Sequence, residues 1–301
     1  MIQLQKYTWL IDTIRRAGKI SLEEISDRWE RNKELSDYKP LSRATFNRWK
    51  DAIFSQFGII IACQRAGGYL YYIENPEDID EDELKKWMLD SFAISNLISE
   101  NLSLKDRIVV NQIPSAREHL ATLLEAMKKK HIVTITYHAF NKNKGYTFSI
   151  EPYCVKLFEN RWYVLARNST YNDMRIYGLD RIENLTIMDT TFKLPKDFSA
   201  SDYFSAYYGI VTGTDVKPER IIIRVYQDHI PYIQSLPLHH SQKLLEDNGK
   251  YADFELFIAP TYDFIMRLLH VGAMIEVISP VSFRKTMKGW VSDMYNLYKN
   301  D

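Results

Sequence analysis

The part of this chain that leaves least freedom lies between residues 131 and 192. There the strand-like runs Ile132–Tyr137, Tyr146–Phe158, Arg161–Arg167, Met174–Leu179 and Ile182–Phe192 follow one another with short breaks between them. Pro152 stands inside the second run, where a bulge would tolerate its missing N–H. Strands this short and this closely spaced predict a small barrel or a strongly bent sheet.

The chain before it reads as helical. Leu4, Tyr7, Leu10, Ile11 and Ile14 recur at helical spacing, and Gly18 stops that helix. Ser21 with Glu24 three residues on is a capping box, opening a second helix with Leu22, Ile25 and Trp29 on one side. Ser42 is the next N-cap. Beyond it, at about 100° per residue, Thr45, Phe46, Trp49, Ile53 and Phe57 share a face, and Arg43, Asn47 and Lys50 form the neighbouring polar stripe. Ala44, Arg48 and Asp51 lie opposite the aromatic face. Arg can pair with guanine edges and Asn with adenine edges, while Lys neutralises phosphate, so the helix suits a DNA major groove. A solvated basic face would carry the same residues. The flanks favour the groove: Phe57–Ile61 reads as a strand, Arg65-Ala66-Gly67-Gly68 as a turn, and Tyr69–Ile73 as a second strand. Three helices and a two-stranded wing resemble the winged helix-turn-helix of bacterial transcription regulators, with residues 42–56 as recognition helix. The residues expected to meet DNA are Ser42, Arg43, Thr45, Asn47, Arg48 and Lys50. The link from Asn32 to Leu41 is longer than the usual tight turn.

Summed over the whole chain, charge opposes that reading. The 301 residues carry 39 basic and 39 acidic side chains, without the basic excess of a nucleic-acid binder. Counted by segment, residues 1–73 carry +4, 74–106 carry −7, 107–212 carry +4 and 213–301 carry −1. The acidic stretch Glu74–Glu83 contains Pro76 and reads as a domain boundary. From Asp82 to Leu102 a stripe of Leu84, Trp87, Met88, Ser91, Ile94, Leu97, Ile98 and Leu102 predicts an amphipathic helix. It either packs on its own domain or forms a dimer seam, as DNA-binding proteins double themselves to match two half-sites. A second helix, Ser115–Lys130, carries Ala116, Leu120, Leu123, Leu124 and Met127, and its terminal Lys128-Lys129-Lys130 suits the helix dipole.

The 46 % hydrophobic fraction excludes a disordered chain. Cys63 and Cys154 have no CxxC partner and are expected to be reduced, buried thiols of a cytoplasmic protein. The first residues do not read as a signal peptide, and no window reaches the length of a membrane span. After residue 212, strands at Arg220–Tyr226, Phe254–Ile258 and Met274–Ile278 alternate with helices at Asp228–Ser235, Tyr262–Leu269 and beyond Pro280, which predicts an α/β sandwich. The adjacent His239 and His240 point apart and have no metal-spaced partner, so neither a metal nor another cofactor is expected. GxSxG, Walker and GxGxxG motifs are absent, which disfavours an enzyme.

Four blocks then carry a resemblance. Ile135-Thr136-Tyr137, Glu151-Pro152-Tyr153, Arg161-Trp162-Tyr163-Val164-Leu165-Ala166-Arg167 and Arg175 to Ile182 resemble the WYL domain, with Val164 at the third place of the naming triplet. The resemblance implies an Sm/SH3-like barrel acting as a sensor of an anionic ligand, a nucleotide or single-stranded nucleic acid. By matching position it implies a pocket of Tyr137, His138, Tyr163, Arg175 and Arg181. Arg175 and Arg181 could clamp phosphate, and Tyr137 or Tyr163 could stack on a base. The plainer reading makes Trp162 core, Tyr163 structural, and pairs Arg181 locally with Asp180 or Glu183. Strand alternation puts Arg175 and Tyr177 on one face. The residues after 212 resemble the C-terminal extension that often follows such domains.

The whole is expected to be a multidomain α+β protein. Its parts are a DNA-binding domain (1–75), a helical linker with a possible dimer seam (76–130), a sensor (131–212) and a C-terminal extension (213–301). The expected function is that of a cytoplasmic, homodimeric, ligand-responsive transcription regulator with double-stranded DNA as partner and no membrane association. The alternative is an enzyme processing nucleotides or nucleic acid in the central basic pocket.

Overall fold

The computed structural model describes residues 2–100, 102–109, 117–140, 142, 144–213 and 215–299. The chain is a mixed α+β protein that divides into two compact units, residues 1–111 and 112–301.

The first unit begins with α1 (Ile2–Ala17), β1 (Ile20–Ser21), α2 (Leu22–Arg31), α3 (Lys33–Ser36) and α4 (Arg43–Phe57). It continues with β2 (Ile61–Gln64), β3 (Leu70–Ile73), α5 (Glu77–Glu81) and α6 (Glu83–Glu100). The capping box forms as expected: Glu24 N–H donates to Ser21 Oγ at 3.2 Å, and Ser21 N–H to Glu24 Oε2 at 3.1 Å. Gly58 at φ +67° ends α4, which runs through Phe57; the strand expected at 57–61 therefore starts only at Ile61. Besides α5, which falls where a boundary was expected, two further elements are unanticipated. The pair Ile20–Ser21 joins β3 to make a three-stranded sheet in the order β1-β3-β2. The long link after α2 holds α3, started by Leu35 N–H donating to Asn32 Oδ1 at 3.2 Å.

Aromatic rings fill this core. Trp29 stands edge-on between Trp9 and Trp49, with centroids 5.1 and 5.0 Å away, and Phe46 meets Tyr71 at 4.6 Å. The acidic helix α6 lies against α1 through buried Leu89 and Asn96, whose Nδ2 donates to Gln5 O at 3.3 Å. Leu84, Trp87, Ile94 and Leu97 of the expected stripe stay exposed.

The second unit holds two sheets. Helix α7 (Arg117–Lys129) leads into β4 (His131–Tyr137), β5 (Tyr146–Phe158), β6 (Arg161–Asn168), β7 (Asp173–Gly178) and β8 (Ile182–Thr191). All neighbours are antiparallel, in the order β7-β6-β5-β4-β8. The register of β5 against β6 shifts between Pro152 and Cys154, the bulge foreseen at the proline. One face carries Val133, Ile135, Ile150, Val164, Ala166 and Tyr177, buried with Leu123 and Ala126 of α7. Thus α7 packs with the sheet, and the stretch expected as one linker is divided between the two units. Ser115 and Ala116, expected to open that helix, lie outside the described residues.

The opposite face is covered by the segment from Phe192 to Val211, which includes α8 (Ala200–Phe204). Tyr153 stacks on Phe192 at 5.8 Å and meets Phe198 edge-on at 5.1 Å. Lys156 Nζ donates to Gly209 O at 2.8 Å. The same segment is held from the other side: Ile210 and Val211 N–H both donate to Asp263 Oδ2 at 2.7 Å, and Ala259 N–H donates to Ala206 O at 2.8 Å.

Asp263 belongs to the last part of the chain: β9 (Glu219–Tyr226), α9 (Ile230–Ser235), β10 (Lys243–Asp247), β11 (Tyr251–Ile258), α10 (Tyr262–Val271), β12 (Ile275–Ser279) and α11 (Val281–Tyr298). The sheet is antiparallel in the order β10-β11-β9-β12, around a core of Ile221, Ile223, Phe254, Leu256, Phe264 and Phe283. Strand β10 was not expected; all its residues are exposed, so no alternation marks it.

Two outcomes follow from the junction. A Cβ on Gly209 would clash with the Asp263 carboxylate and come within 2.8 Å of Phe158 Cζ. Gly209→Ala should cost about 1–3 kcal/mol, read as a lowered urea midpoint. His239 and His240 do not point apart as expected, since their ring centroids are 4.0 Å from each other. His239 is buried, and desolvation, helped by the neighbouring His240, holds its pKa down to about 4 against an ordinary 6.5. The fold takes His239 neutral, so its contribution is complete above pH 6.5 and is lost as pH falls toward 4, by roughly 2–3 kcal/mol. His239→Gln should flatten that acid limb in urea titrations at pH 7 and pH 4.5.

Candidate functional site

At the end of β4 the Tyr137 ring is buried edge-on against Tyr177, with centroids 5.1 Å apart. Its hydroxyl accepts from Gly178 N–H at 3.3 Å, and burial raises the phenol above its usual range despite the nearby Arg181. Tyr177 in turn accepts from Asn168 Nδ2 at 2.9 Å, and Asn168 Oδ1 accepts the N–H groups of Thr170 and Tyr171. These bonds fix the ends of β6 and β7, and with them the turn that carries Arg181.

Arg181 ends the 3₁₀ turn Leu179–Arg181. Its guanidinium lies over two rings, 5.3 Å from the Tyr137 centroid and 4.8 Å from that of Phe140. Gly178 lets it approach: a Cβ there would fall 2.8 Å from Arg181 Nη2 and 2.9 Å from Nε. The local carboxylates have other partners. Asp180 takes Arg161 at 3.1 Å, and Glu183 takes His138 Nε2 at 2.9 Å. The plainer alternative, a local pairing of Arg181 with Asp180 or Glu183, does not form, and its Nε is buried with no hydrogen-bond partner among the described residues.

Arg175 is different. Its Nε and Nη2 reach Asp173 at 3.0 Å, and its guanidinium stacks on Tyr171 at 4.1 Å. The two arginines thus stand at opposite ends of β7, each with its own surroundings. Tyr163 pairs with Lys156 and Gly178, on the face of β6 opposite Val164 and Ala166. It is buried, its phenol raised by desolvation, and the charges of Arg161 and Arg181 act on it. His138 is exposed. The structure brings Tyr137 and Arg181 together, places Tyr163 within their field and His138 at the rim, and leaves Arg175 apart. Phe140 and Gly178 were missed by sequence reasoning; the run of Gly178 directly before the Asp180-Arg181 turn was the available signal.

In the first unit Ser42 Oγ accepts Thr45 N–H at 3.2 Å and donates to Thr45 Oγ1 at 2.9 Å, so both side chains serve the helix cap. Arg43, Asn47 and Arg48 are exposed, while Lys50 lies half-buried with Nζ 5.7 Å from the Tyr71 ring. The turn between β2 and β3 contains Gly67 and Gly68 at φ +90° and +113°. Lys19, not anticipated, reaches Gln64 Oε1 at 2.7 Å and adds a cation beside this hairpin.

Among the described residues no group of three or more His, Cys, Asp or Glu is arranged to hold a metal ion, and no helix is long and apolar enough to cross a membrane. The family model for the WYL domain matches residues 118–187, from α7 into β8. No curated protein matches the chain. Among solved structures, the chain is similar to the proteasome accessory factor B/C (PafBC) of Arthrobacter aurescens, with 15% identity, 95% of this chain and 45% of that chain covered, and a TM-score of 0.34. It is also similar to a CRISPR Cas-related protein, with 9% identity, 98% and 86% covered, and a TM-score of 0.40. It spans less than half the length of the first.

Proposed function

The chain is a WYL-domain protein, and from that premise we propose that it is a DNA-binding transcription regulator whose central sheet senses an anionic ligand, a nucleotide or short single-stranded nucleic acid. The observation that carries this reading is Arg181: a guanidinium laid on two aromatic rings, with its neighbouring carboxylates engaged elsewhere. A phosphate supplies the partner such a group lacks, and the exposed Phe140 ring offers a base a surface to stack on. We read the sheet as the bent, partly open barrel of a sensor, α7 as its part, and residues 213–301 as its C-terminal extension.

In the first unit, α2, the link holding α3, and α4 are the helical portion of a winged helix-turn-helix, and β2 and β3 are its wing. Arg43 and Asn47 read base edges, Arg48 and Lys50 meet phosphate, and Ser42 and Thr45 hold the start of α4. In a cytoplasmic homodimer two such helices address two half-sites. Ligand binding shifts the population between forms that engage DNA and forms that do not. The modest charge of this unit predicts modest non-specific affinity, so pairing of half-sites supplies much of the binding.

Arg43→Ala combined with Asn47→Ala should weaken binding to DNA fragments selected by the wild-type chain by about tenfold or more, measured by fluorescence anisotropy at fixed salt. Unchanged affinity would remove α4 from DNA reading. For the sensor, short single-stranded oligonucleotides should bind Arg181→Ala about tenfold or more weakly, while Arg175→Ala has the smaller effect because Arg175 is already paired. Equal binding by wild type and Arg181→Ala would exclude Arg181 from the pocket.

A further inference from the structure

Beside the turn that follows β5, and apart from Tyr137 and Arg181, α9 and α10 flank a groove made of two adjoining cavities of about 360 Å³ each. Arg267 and His270 line both. They are three residues apart on α10, and side chains at that spacing lie on one helix face about 5–6 Å apart. Among the described residues neither has a hydrogen bond or ion pair. The cavity toward α9 adds His229, Tyr232 and Ser235, and no carboxylate lines it. On the other side Glu159 and Asp263 line the groove, but Asp263 Oδ2 already accepts the N–H groups of Ile210 and Val211. Arg267 and His270 therefore stand between a side that carries Glu159 and Asp263 and an α9 side that no carboxylate lines.

We propose that this groove is a second anion site, taking a phosphorylated ligand with a planar ring, of the nucleoside monophosphate class. Arg267 presents the fork that matches phosphate oxygens, and His270 and His229 add ring N–H donors. Tyr232 is 67% exposed and tilted against His229 at 5.5 Å, so one face of its ring is open for a base to stack on. A cavity of this size stands at the lower end of ligand pockets, which suits a mononucleotide. None of these residues belongs to the central site, and the inference does not rest on the reading of that site.

The test is calorimetric titration of adenosine monophosphate and of inorganic phosphate into the full chain carrying Arg181→Ala, so that central and peripheral sites fail separately. Adenosine monophosphate is expected to bind that chain saturably. Adding Arg267→Gln and His270→Gln, which keep the side-chain stems and the helix, should weaken it about tenfold or more. Tyr232→Ala should lower the affinity for adenosine monophosphate and leave that for phosphate. Absence of saturable binding, or equal binding after the two glutamine substitutions, overturns the site. An unchanged ratio of nucleotide to phosphate affinity in Tyr232→Ala overturns the placement of the ring.

Discussion

The second unit depends on a half-buried lysine beneath a crossing chain. Lys156 sits on the face of β5 that α7 does not cover, and desolvation pulls its pKa below the usual range. An ammonium in that position is tolerated only where its donors and its field are answered. Gly209 O accepts one N–H, the Phe204 ring lies 4.1 Å away, and the Asp263 carboxylate favours the charged form. Asp263 in turn takes the two amides that follow Gly209. The segment is thus gripped at consecutive peptide units by a cation from the central sheet and an anion from α10. Aromatic packing extends the grip, since Tyr208 stands between Phe158 and Phe264. Both faces of the central sheet are covered, and one of the covers ties it to the sheet beyond.

Arg181 is built on the same chemistry with one component left out. It too is a cation set on rings, but the nearby carboxylates bind Arg161 and His138 instead. Placing it costs desolvation that the rings offset only in part. A chain that merely needed a stable turn would gain by giving it a carboxylate. Arg175 shows that alternative on the same strand, paired with Asp173 and stacked on Tyr171. Two arginines that look equivalent in the sequence are therefore opposite in character: Arg175 is paired with a carboxylate and Arg181 is not.

Most of the backbone was legible because its signals are local. Capping at Ser21 and Ser42, the stop at Gly18 and the five central strands depend on neighbours a few residues away, and the bulge at Pro152 follows from one missing donor. The exposed edge strand β10 escaped notice because Leu244 and Leu245 are both solvent-facing, although Asn248-Gly249 after it is a strong hairpin signal. Helix α7 was detected without its home, because periodicity identifies an apolar face and not the surface it meets. The candidate site was legible to the level of residue types. Alternation places Asp173 on the face of Arg175, so their pairing was within reach of the sequence. That Asp180 turns to Arg161 and Glu183 to His138 depends on partners 19 and 45 residues away, which no local pattern encodes.

The zero net charge is best understood at this level of partners. In a folded chain an exposed charge matters to a ligand only if it is not already committed, and formal counts ignore commitment. Asp173, Asp180, Asp253 and Asp263 each engage a cation or backbone amides in the second unit, and Glu183 engages the His138 ring. Arg181 and Arg267 are left without an ion pair among the described residues. A neutral protein can therefore carry strongly directional anion sites, because pairing cancels most charges in place and leaves the remainder where geometry keeps their natural partners away.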